Sequence, residues 1–169
     1  RVQLPAPTAP LPRPSPGDRV RVMAVSVAGR TGGQSFSINY TNSAGVAGRT
    51  SGLVIQNAVS VNGSIVTSNR ASALAQGPFL PLQTGDTGVR SIESVTMAGA
   101  DVGLFALVLV KPLAQLQLRG IDAPVEVNYF TDFGQLPTIV DDAYLNFLAC
   151  PSGSLAATPL HGDITVVWN

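Results

Sequence analysis

Few residues of this chain are of a type that could act as a nucleophile, a general base or a soft metal ligand. The sequence holds one histidine, His161, and one cysteine, Cys150. A serine hydrolase needs a histidine oriented by a separate carboxylate, but Asp163 follows His161 too closely and there is no G-x-S-x-G turn. We therefore predict that His161 lies in a loop before the last strand. Cys150 is expected to be a small buried hydrophobic residue rather than a nucleophile.

The spacing of the polar residues does not fit a metal site or a phosphate site. One histidine and one cysteine far apart match no zinc pattern. A phosphate-binding P-loop needs a lysine, and because the only lysine is Lys111, we expect the glycine-rich segment 29–33 to be a hairpin. Five acids of the second half lack the spacing of a calcium loop and are expected to be solvated. They are Asp122, Glu126, Asp132, Asp141 and Asp142. We predict no cofactor and no metal.

The string Asp86-Thr87-Gly88 resembles the active-site triplet of aspartyl proteases. Those enzymes pair two carboxylates about one shared proton, so a chain with one triplet would have to dimerise across it. The family places apolar residues just before the aspartate, whereas this chain has a threonine and a glycine there, and no convincing second motif follows. The glycines on either side of Asp86 are typical of a turn before a strand that starts at Val89. We predict that the protein has no catalytic residues and is not an enzyme.

The elements that would position these residues are short β-strands separated by turn residues. Segment 34–40, for example, alternates apolar and polar residues with the period of two of a half-buried strand. A hairpin through Gly29, Gly32 and Gly33 is expected to join it to the strand before it. Helical character is confined to segment 68–76 and supports two turns at most. The predicted strands are 18–28, 34–40, 51–55, 58–61, 64–67, 89–97, 104–110, 113–118, 125–129, 143–149 and 164–168.

This pattern predicts an all-β fold, an antiparallel β-sandwich of jelly-roll type that covers residues 17–169. A parallel sheet would need crossover helices, for which the sequence has no pattern. The 169 residues suit one domain, and a chain of this length can bury a core without disulfides or a structural metal.

Residues 1–16 form a separate segment with six prolines, which predicts an extended polyproline-like arm. Such a segment could be a linker, or it could lie on a neighbouring subunit at a low entropic cost. In the second case Leu4 and Leu11 would occupy shallow apolar grooves, and basic residues would approach carboxylates of the neighbour. The predicted subunit contacts are Leu4, Leu11, Arg13, Arg19, Arg21 and Trp168, although Trp168 could equally be a core residue.

Charge is scarce and unevenly distributed. Charged residues make up 12% of the chain, against about 25% in an ordinary soluble domain. Ten basic residues balance ten acidic ones, which argues against a protein that binds nucleic acid by neutralising phosphates. Residues 1–85 nevertheless carry a net charge of +6 and residues 86–169 a net charge of −6. The two halves should attract one another, within a chain or between copies. No apolar run approaches the length of about 18 residues that predicts a membrane span.

Three segments of the second half resemble virion structural proteins of tailed bacteriophages. They are "QGPFLPLQTGDTGVRSIESVTM" (76–97), "LFALVLVKPLAQLQL" (104–118) and "DDAYLNFLACPSGSLAATPLHGDITVVWN" (141–169). Together they cover about half of the chain and contain no catalytic signature. The first half matches only in character, so the position within a virion is left open.

The resemblance implies a capsid decoration, or cement, protein on the virion surface that is made in the host cytoplasm before assembly. Its partners would be the major capsid protein and further copies of itself, with a jelly-roll-like homotrimer favoured. One alternative is a structural protein of the tail or fibre collar. Another is a carbohydrate-binding β-sandwich, but that would expose aromatic platforms, whereas most of the ten aromatic residues lie in apolar strand patterns.

Overall fold

A computed structural model describes residues 17–55, 59–60, 62–66, 77–100, 102–118, 120, 123–134, 136–141, 143–149 and 161–167. Nearly all of its regular structure is β, as the sequence predicts, and it lies in the first two thirds of the chain. The strands are β1 (Arg21–Thr31), β2 (Phe36–Asn42), β3 (Arg49–Thr50), β4 (Val59–Ser60), β5 (Ile65–Val66), β6 (Val89–Met97) and β7 (Val102–Val110). One short helix, α1 (Tyr129–Phe133), follows them.

The first sheet has β1 at its centre, with β7 along one side and β4 and β5 along the other, all antiparallel to β1. Thr31 pairs with Val59 and Ala24 with Val66, so β4 and β5 continue one another in a single register. The Ser26 amide donates to the Ser64 carbonyl at 2.9 Å between the two short strands. β4 and β5 therefore act as one interrupted edge strand.

The second sheet has three antiparallel strands in the order β3-β2-β6. Its central strand β2 alternates strictly between buried and half-buried residues, which is the period-two pattern that the sequence shows. Val54 adds an isolated bridge to Phe36 beyond β3.

The apolar core lies between the two sheets. Phe36, Ile38 and Tyr40 of β2 are fully buried, as are Val22 and Ala24 of β1. Aromatic packing joins the sheets directly, because the ring centroids of Phe36 and Phe105 of β7 lie 4.9 Å apart. The remaining members of the core cluster are Val54, Val66, Leu80, Val89, Ile92 and Val95.

Several sequence predictions are confirmed by this arrangement. The all-β class is correct, β6 spans the predicted residues 89–97, and β1, β2, β4, β5 and β7 match their predictions to within a few residues. Segment 51–55 was expected to be a strand, but bridges at Val54 and Ile55 and the short β3 just before the segment form there instead. The predicted arm, residues 1–16, and the weakly helical segment 68–76 lie outside the described residues.

Two predictions are wrong. The glycine-rich segment 29–33 is not a hairpin, because β1 and β2 belong to different sheets; Gly32 and Gly33 adopt φ of 118° and 64° where the chain crosses between them. The segments 113–118, 125–128, 143–149 and 164–167 form no strand either. Their alternating pattern is present, but a strand requires a neighbour to take its hydrogen bonds, and the sheets described above do not extend to them.

The start of the described chain is fixed by a close backbone approach. Gly17 has φ of 91°, and a side chain at Gly17 would overlap the Val89 carbonyl. A side chain at Gly88 would overlap the carbonyl oxygen of Gly17 in the same way. The Val89 amide donates to the Val20 carbonyl at 3.1 Å, which links the first residues of β6 to the residue before β1.

We predict that Gly88→Ala lowers the free energy of unfolding by about 1 to 3 kcal/mol, because backbone atoms must move to admit the new methyl group. Gly162→Ala is the control, since nothing lies within 4 Å of the methyl group it would add, and it should change stability by less than about 0.5 kcal/mol. Urea denaturation measures both. Equal stability of the two variants would show that Gly17 and Gly88 are not in close contact.

Candidate functional site

The most polar part of the interior is built around the Asp86 carboxylate. Its Oδ2 accepts from the Tyr40 hydroxyl at 2.6 Å and from Arg49 Nε at 3.0 Å. Its Oδ1 accepts from Asn42 Nδ2 at 2.7 Å and from Arg49 Nη2 at 3.1 Å. Arg49 thus binds the carboxylate through two donors, which is the strong geometry for this pair. We call these four residues the Asp86 cluster.

Each member of the Asp86 cluster follows from its place in the sheet. Tyr40 and Asn42 continue the core-facing side of β2, where Phe36 and Ile38 precede them. Arg49 opens β3 and is paired in register with Tyr40. Asp86 itself lies in the loop before β6, so the cluster ties that loop to the second sheet.

Further hydrogen bonds hold the loops around the cluster. The Tyr40 hydroxyl, which donates to Asp86, also accepts from the Gln83 amide at 2.8 Å. The Asp86 amide donates to the Gln83 carbonyl at 3.0 Å, and Asn42 Oδ1 accepts from the Val46 amide at 2.9 Å. The polar groups of the cluster are therefore satisfied, as buried polar groups must be.

The cluster shifts the pKa of its acidic groups in opposite directions. Hydrogen bonds from Arg49 are the largest cause that lowers the pKa of Asp86 to about 2. Burial, followed by the hydrogen bond to Asp86, raises the pKa of Tyr40 to about 12. Asp86 is thus ionised and Tyr40 neutral through the whole physiological range, and the hydrogen bonds to Asp86 raise the pKa of Arg49 further above its already high value.

This geometry suits a structural ion pair. The Asp86 side chain is 3% exposed and both of its oxygens carry two donors. A shared-proton dyad would need a second carboxylate against Asp86, whereas Arg49 occupies that side. The turn that the sequence predicts before Val89 is confirmed, since β6 begins at Val89 directly after Gly88.

The remaining residues that the sequence marks for chemistry are either exposed or outside the described residues. His161 and Asp163 are exposed, and Cys150, Asp122 and Asp142 lie outside the described residues. In the described ranges, no group of three or more His, Cys, Asp or Glu residues is placed to hold a metal ion.

Asp132 belongs instead to the cap of α1. Its Oδ2 accepts from the Asn128 amide at 3.0 Å, while Asn128 Oδ1 accepts from the amides of Phe130 and Thr131. Gly134 ends the helix with φ of 64°. Asn128 at the N-cap, Asp132 in the first turn and Gly134 at the C-cap are residue types typical of helix ends. This pattern could have predicted α1 from the sequence.

Two of the predicted subunit contacts lie in the described chain. Arg19 is exposed, with φ of 58°, and its Nε lies 3.9 Å from the Asp18 carboxylate. Arg21 is half-buried, with its guanidinium carbon 5.7 Å from the centre of the Phe79 ring and no hydrogen-bond partner for its Nε. Leu4, Leu11, Arg13 and Trp168 lie outside the described residues.

The larger candidate for an interaction surface is apolar and was not predicted. Of the nineteen large hydrophobic side chains that are exposed in the described residues, thirteen come after Val110. Val102 and Leu104 of β7 are 67% and 65% exposed, although the same strand supplies Phe105 to the core. The continuous apolar run of β7 was the available signal, because such runs are typical of strands buried on both faces.

Comparison of the chain with protein-family models, with curated proteins and with solved structures gave no match. Among the described residues, no helix is long and apolar enough to cross a membrane.

We predict that Asp86→Asn lowers the free energy of unfolding at neutral pH by about 1 to 3 kcal/mol, because Arg49 loses its ionic partner. The parent protein should also lose stability as the pH falls from about 4 towards about 2. The folded pKa of Asp86 is depressed from 3.8 to about 2, so the unfolded chain takes up the proton first.

Asp163→Asn is the matched control, since Asp163 is exposed. Urea denaturation of the three proteins between neutral pH and about pH 2 should show a smaller acid loss for Asp86→Asn than for the other two. If all three have the same pH profile, the Asp86 cluster does not stabilise the fold as described.

Proposed function

We propose that the protein is a non-enzymatic structural protein of a tailed-phage virion that decorates and stabilises the capsid shell. The second half of the chain resembles phage structural proteins, and one observation of the structure supports the proposal in addition. The chain exposes large apolar side chains far beyond a few scattered residues, and most of them follow Val110. Large exposed apolar patches on proteins mark places where another protein binds.

The fuller form of the proposal is a jelly-roll-like sandwich with an N-terminal arm, which binds the major capsid protein and further copies of itself. Two antiparallel sheets with a shared core support the sandwich part. The arm, residues 1–16, would join the domain at Gly17, which lies against Gly88 and Val89, so the point where it meets the domain is fixed.

Such a function is mechanical. A protein that binds only the assembled shell adds its binding free energy to the stability of that shell. The described residues are consistent with this role. Asp86 and Tyr40, whose pKa values are shifted, direct their polar groups into hydrogen bonds within the fold.

A carbohydrate-binding module is a second candidate, for a specific reason. Among the described residues, four aromatic side chains are exposed. They are Phe130 at 69%, Phe133 at 64%, Tyr144 at 92% and Phe147 at 75%. Exposed rings can stack on sugars, and saturable binding to a glycan array that Tyr144→Ala abolishes would favour this candidate.

The experiment that tests the main proposal measures binding of the purified protein to phage heads that lack it, followed by electron microscopy of the labelled particles. Label over the head shell is the expected result, whereas label confined to the tail would identify a tail or fibre-collar protein. Absence of binding to any part of the particle would overturn the virion role.

The same assay tests the arm. Deletion of residues 1–16 should leave the domain folded and weaken attachment. Leu4→Ala with Leu11→Ala should cause more of that loss than Arg1→Ala with Arg13→Ala. The reason is that burial of a leucine contributes about 1.5 to 3 kcal/mol, whereas an exposed charge pair contributes about 0.2 to 1 kcal/mol. Unchanged affinity of the truncated protein at low and high salt would show that the arm is a linker.

A further inference from the structure

The outer faces of the two sheets differ in chemistry. In the second sheet, the buried residues of β2 alternate with polar ones, so the side of the sheet away from the core carries hydroxyl and amide groups. The strand register places further polar residues beside them. This face consists of Ser37, Asn39, Thr41, Thr50, Ser91, Ser94 and Thr96. A polar outer face is typical of an antiparallel sheet that has one side in water.

The outer face of the first sheet is apolar instead. Val22 and Ala24 of β1 are buried in the core, so Met23 and Val25 point to the opposite side of the sheet. The register places apolar residues of β5 and β7 next to these two. We call this surface the first outer face, and its residues are Arg21, Met23, Val25, Ile65, Ala106, Val108 and Val110. An apolar face of this kind is typical of a surface that contacts another molecule.

The strand pairs make the first outer face continuous. Val25 is paired with Ile65 on one side and with Ala106 on the other, and Met23 is paired with Val108. Residues opposite one another in an antiparallel pair have their Cβ atoms about 5 Å apart. Ala106 is exposed and the other apolar residues of the face are half-buried. A partner would therefore meet one apolar surface rather than separate side chains.

Arg21 is the one charged residue of the first outer face, at the end where β1 begins. Its guanidinium carbon lies 5.7 Å from the centre of the Phe79 ring. The Leu80 amide donates to the Val22 carbonyl at 2.7 Å, so the segment that carries Phe79 is fixed beside β1. Nε of Arg21 is buried and has no hydrogen-bond acceptor among the described residues. A buried donor without an acceptor lowers stability, so this position favours a ligand that accepts a hydrogen bond.

A carboxylate matches this site best. The guanidinium group is a planar cation whose Nε and one Nη can donate together to the two oxygens of a carboxylate. Arg49 binds Asp86 in this way inside the fold, at distances of 3.0 and 3.1 Å. Nε of Arg21 has no such partner among the described residues, and the residues of the first outer face include no acid. An acidic side chain of another molecule would supply both the acceptor and the opposite charge.

The same chemistry argues against contact between two copies through this face. Two first outer faces packed together would bring two Arg21 side chains into an apolar interface and would supply no carboxylate for either. Like charges that are desolvated without a counter-ion are unfavourable. The occupant is therefore a surface of different composition, with apolar side chains around at least one acid.

We propose that the first outer face is the surface through which the protein attaches to the virion shell, and that the shell protein presents an Asp or Glu carboxylate to Arg21 within an apolar patch. The apolar residues supply the buried area. Arg21 determines which surface fits, because a surface without an acid would leave the guanidinium group desolvated and unpaired. The polar face of the second sheet is then the side that remains in water. This inference rests on the proposed function, since that function supplies the shell as the partner.

The test compares the binding of full-length variants to phage heads that lack the protein. Arg21→Met keeps a flexible aliphatic side chain against Phe79 but removes the charge and the unpaired donor. Its affinity for heads should fall about tenfold or more. Its resistance to urea should equal that of the parent or exceed it, because no buried donor is left without an acceptor. Arg21→Lys, which keeps the charge but not the planar group, should recover part of the affinity.

Val25→Thr with Val108→Thr tests the apolar part of the face, since each change replaces a methyl group by a hydroxyl at nearly constant shape. This double variant should also bind heads more weakly than the parent. Thr96→Val is the matched control, because it makes the reverse change at an exposed position on the polar face of the second sheet, and it should bind as the parent does. Circular dichroism checks that each variant is folded, and Val25→Thr alone replaces the double variant if that one unfolds.

The outcomes separate this inference from the proposed function. If the parent binds heads and Arg21→Met binds equally well, the first outer face is not the attachment surface, while the virion role stands. If head binding is unchanged but Arg21→Met alters the sedimentation of the protein in solution, the face is a contact between copies and the shell assignment is wrong. Loss of urea resistance together with affinity would show that Arg21 only stabilises the fold. A parent that does not bind heads would contradict the proposed shell role and this inference with it.

Discussion

The structure depends on one buried charge. Asp86 is held by Arg49, Tyr40 and Asn42 in a site where its side chain is 3% exposed, and an unpaired carboxylate there would be costly. Its four hydrogen bonds fix the loop before β6 on the second sheet. That loop carries Gly88, against which Gly17 packs. A single ion pair therefore places the beginning of β6 beside the beginning of β1, where the two sheets meet.

The described residues after Val110 contrast with the two sheets. The two sheets bury a shared core and use their polar groups internally, whereas the described residues after Val110 are left without a single buried side chain. Exposed apolar side chains in such numbers are typical of surfaces that contact another molecule. The proposed self-association and the proposed attachment to a shell would both bury such side chains.

The hydrophobic pattern predicted which residues form strands and which face of a strand is buried. It did not predict which strands pair with one another. β6 was predicted at its observed bounds because Gly88 and Gly99 flank a clear apolar pattern. The hairpin at Gly32 was wrong because glycines mark a change of direction and do not show which sheet receives the chain. The partners of Asp86 could not be found, since Tyr40 and Arg49 are 46 and 37 residues away. Segment 113–118 has the period of a strand, but the period does not show whether a neighbouring strand is present to take its hydrogen bonds.

The most direct measurement is hydrogen exchange of the full-length protein, followed peptide by peptide from dilute to concentrated solution. The account predicts slow exchange in β1, β2 and β6 at every concentration. It predicts rapid exchange in segments 113–118, 123–134 and 143–149 in the dilute protein and marked protection as the oligomer forms. Equal protection of those segments in the dilute monomer would contradict it, because they would then be ordered by their own chain.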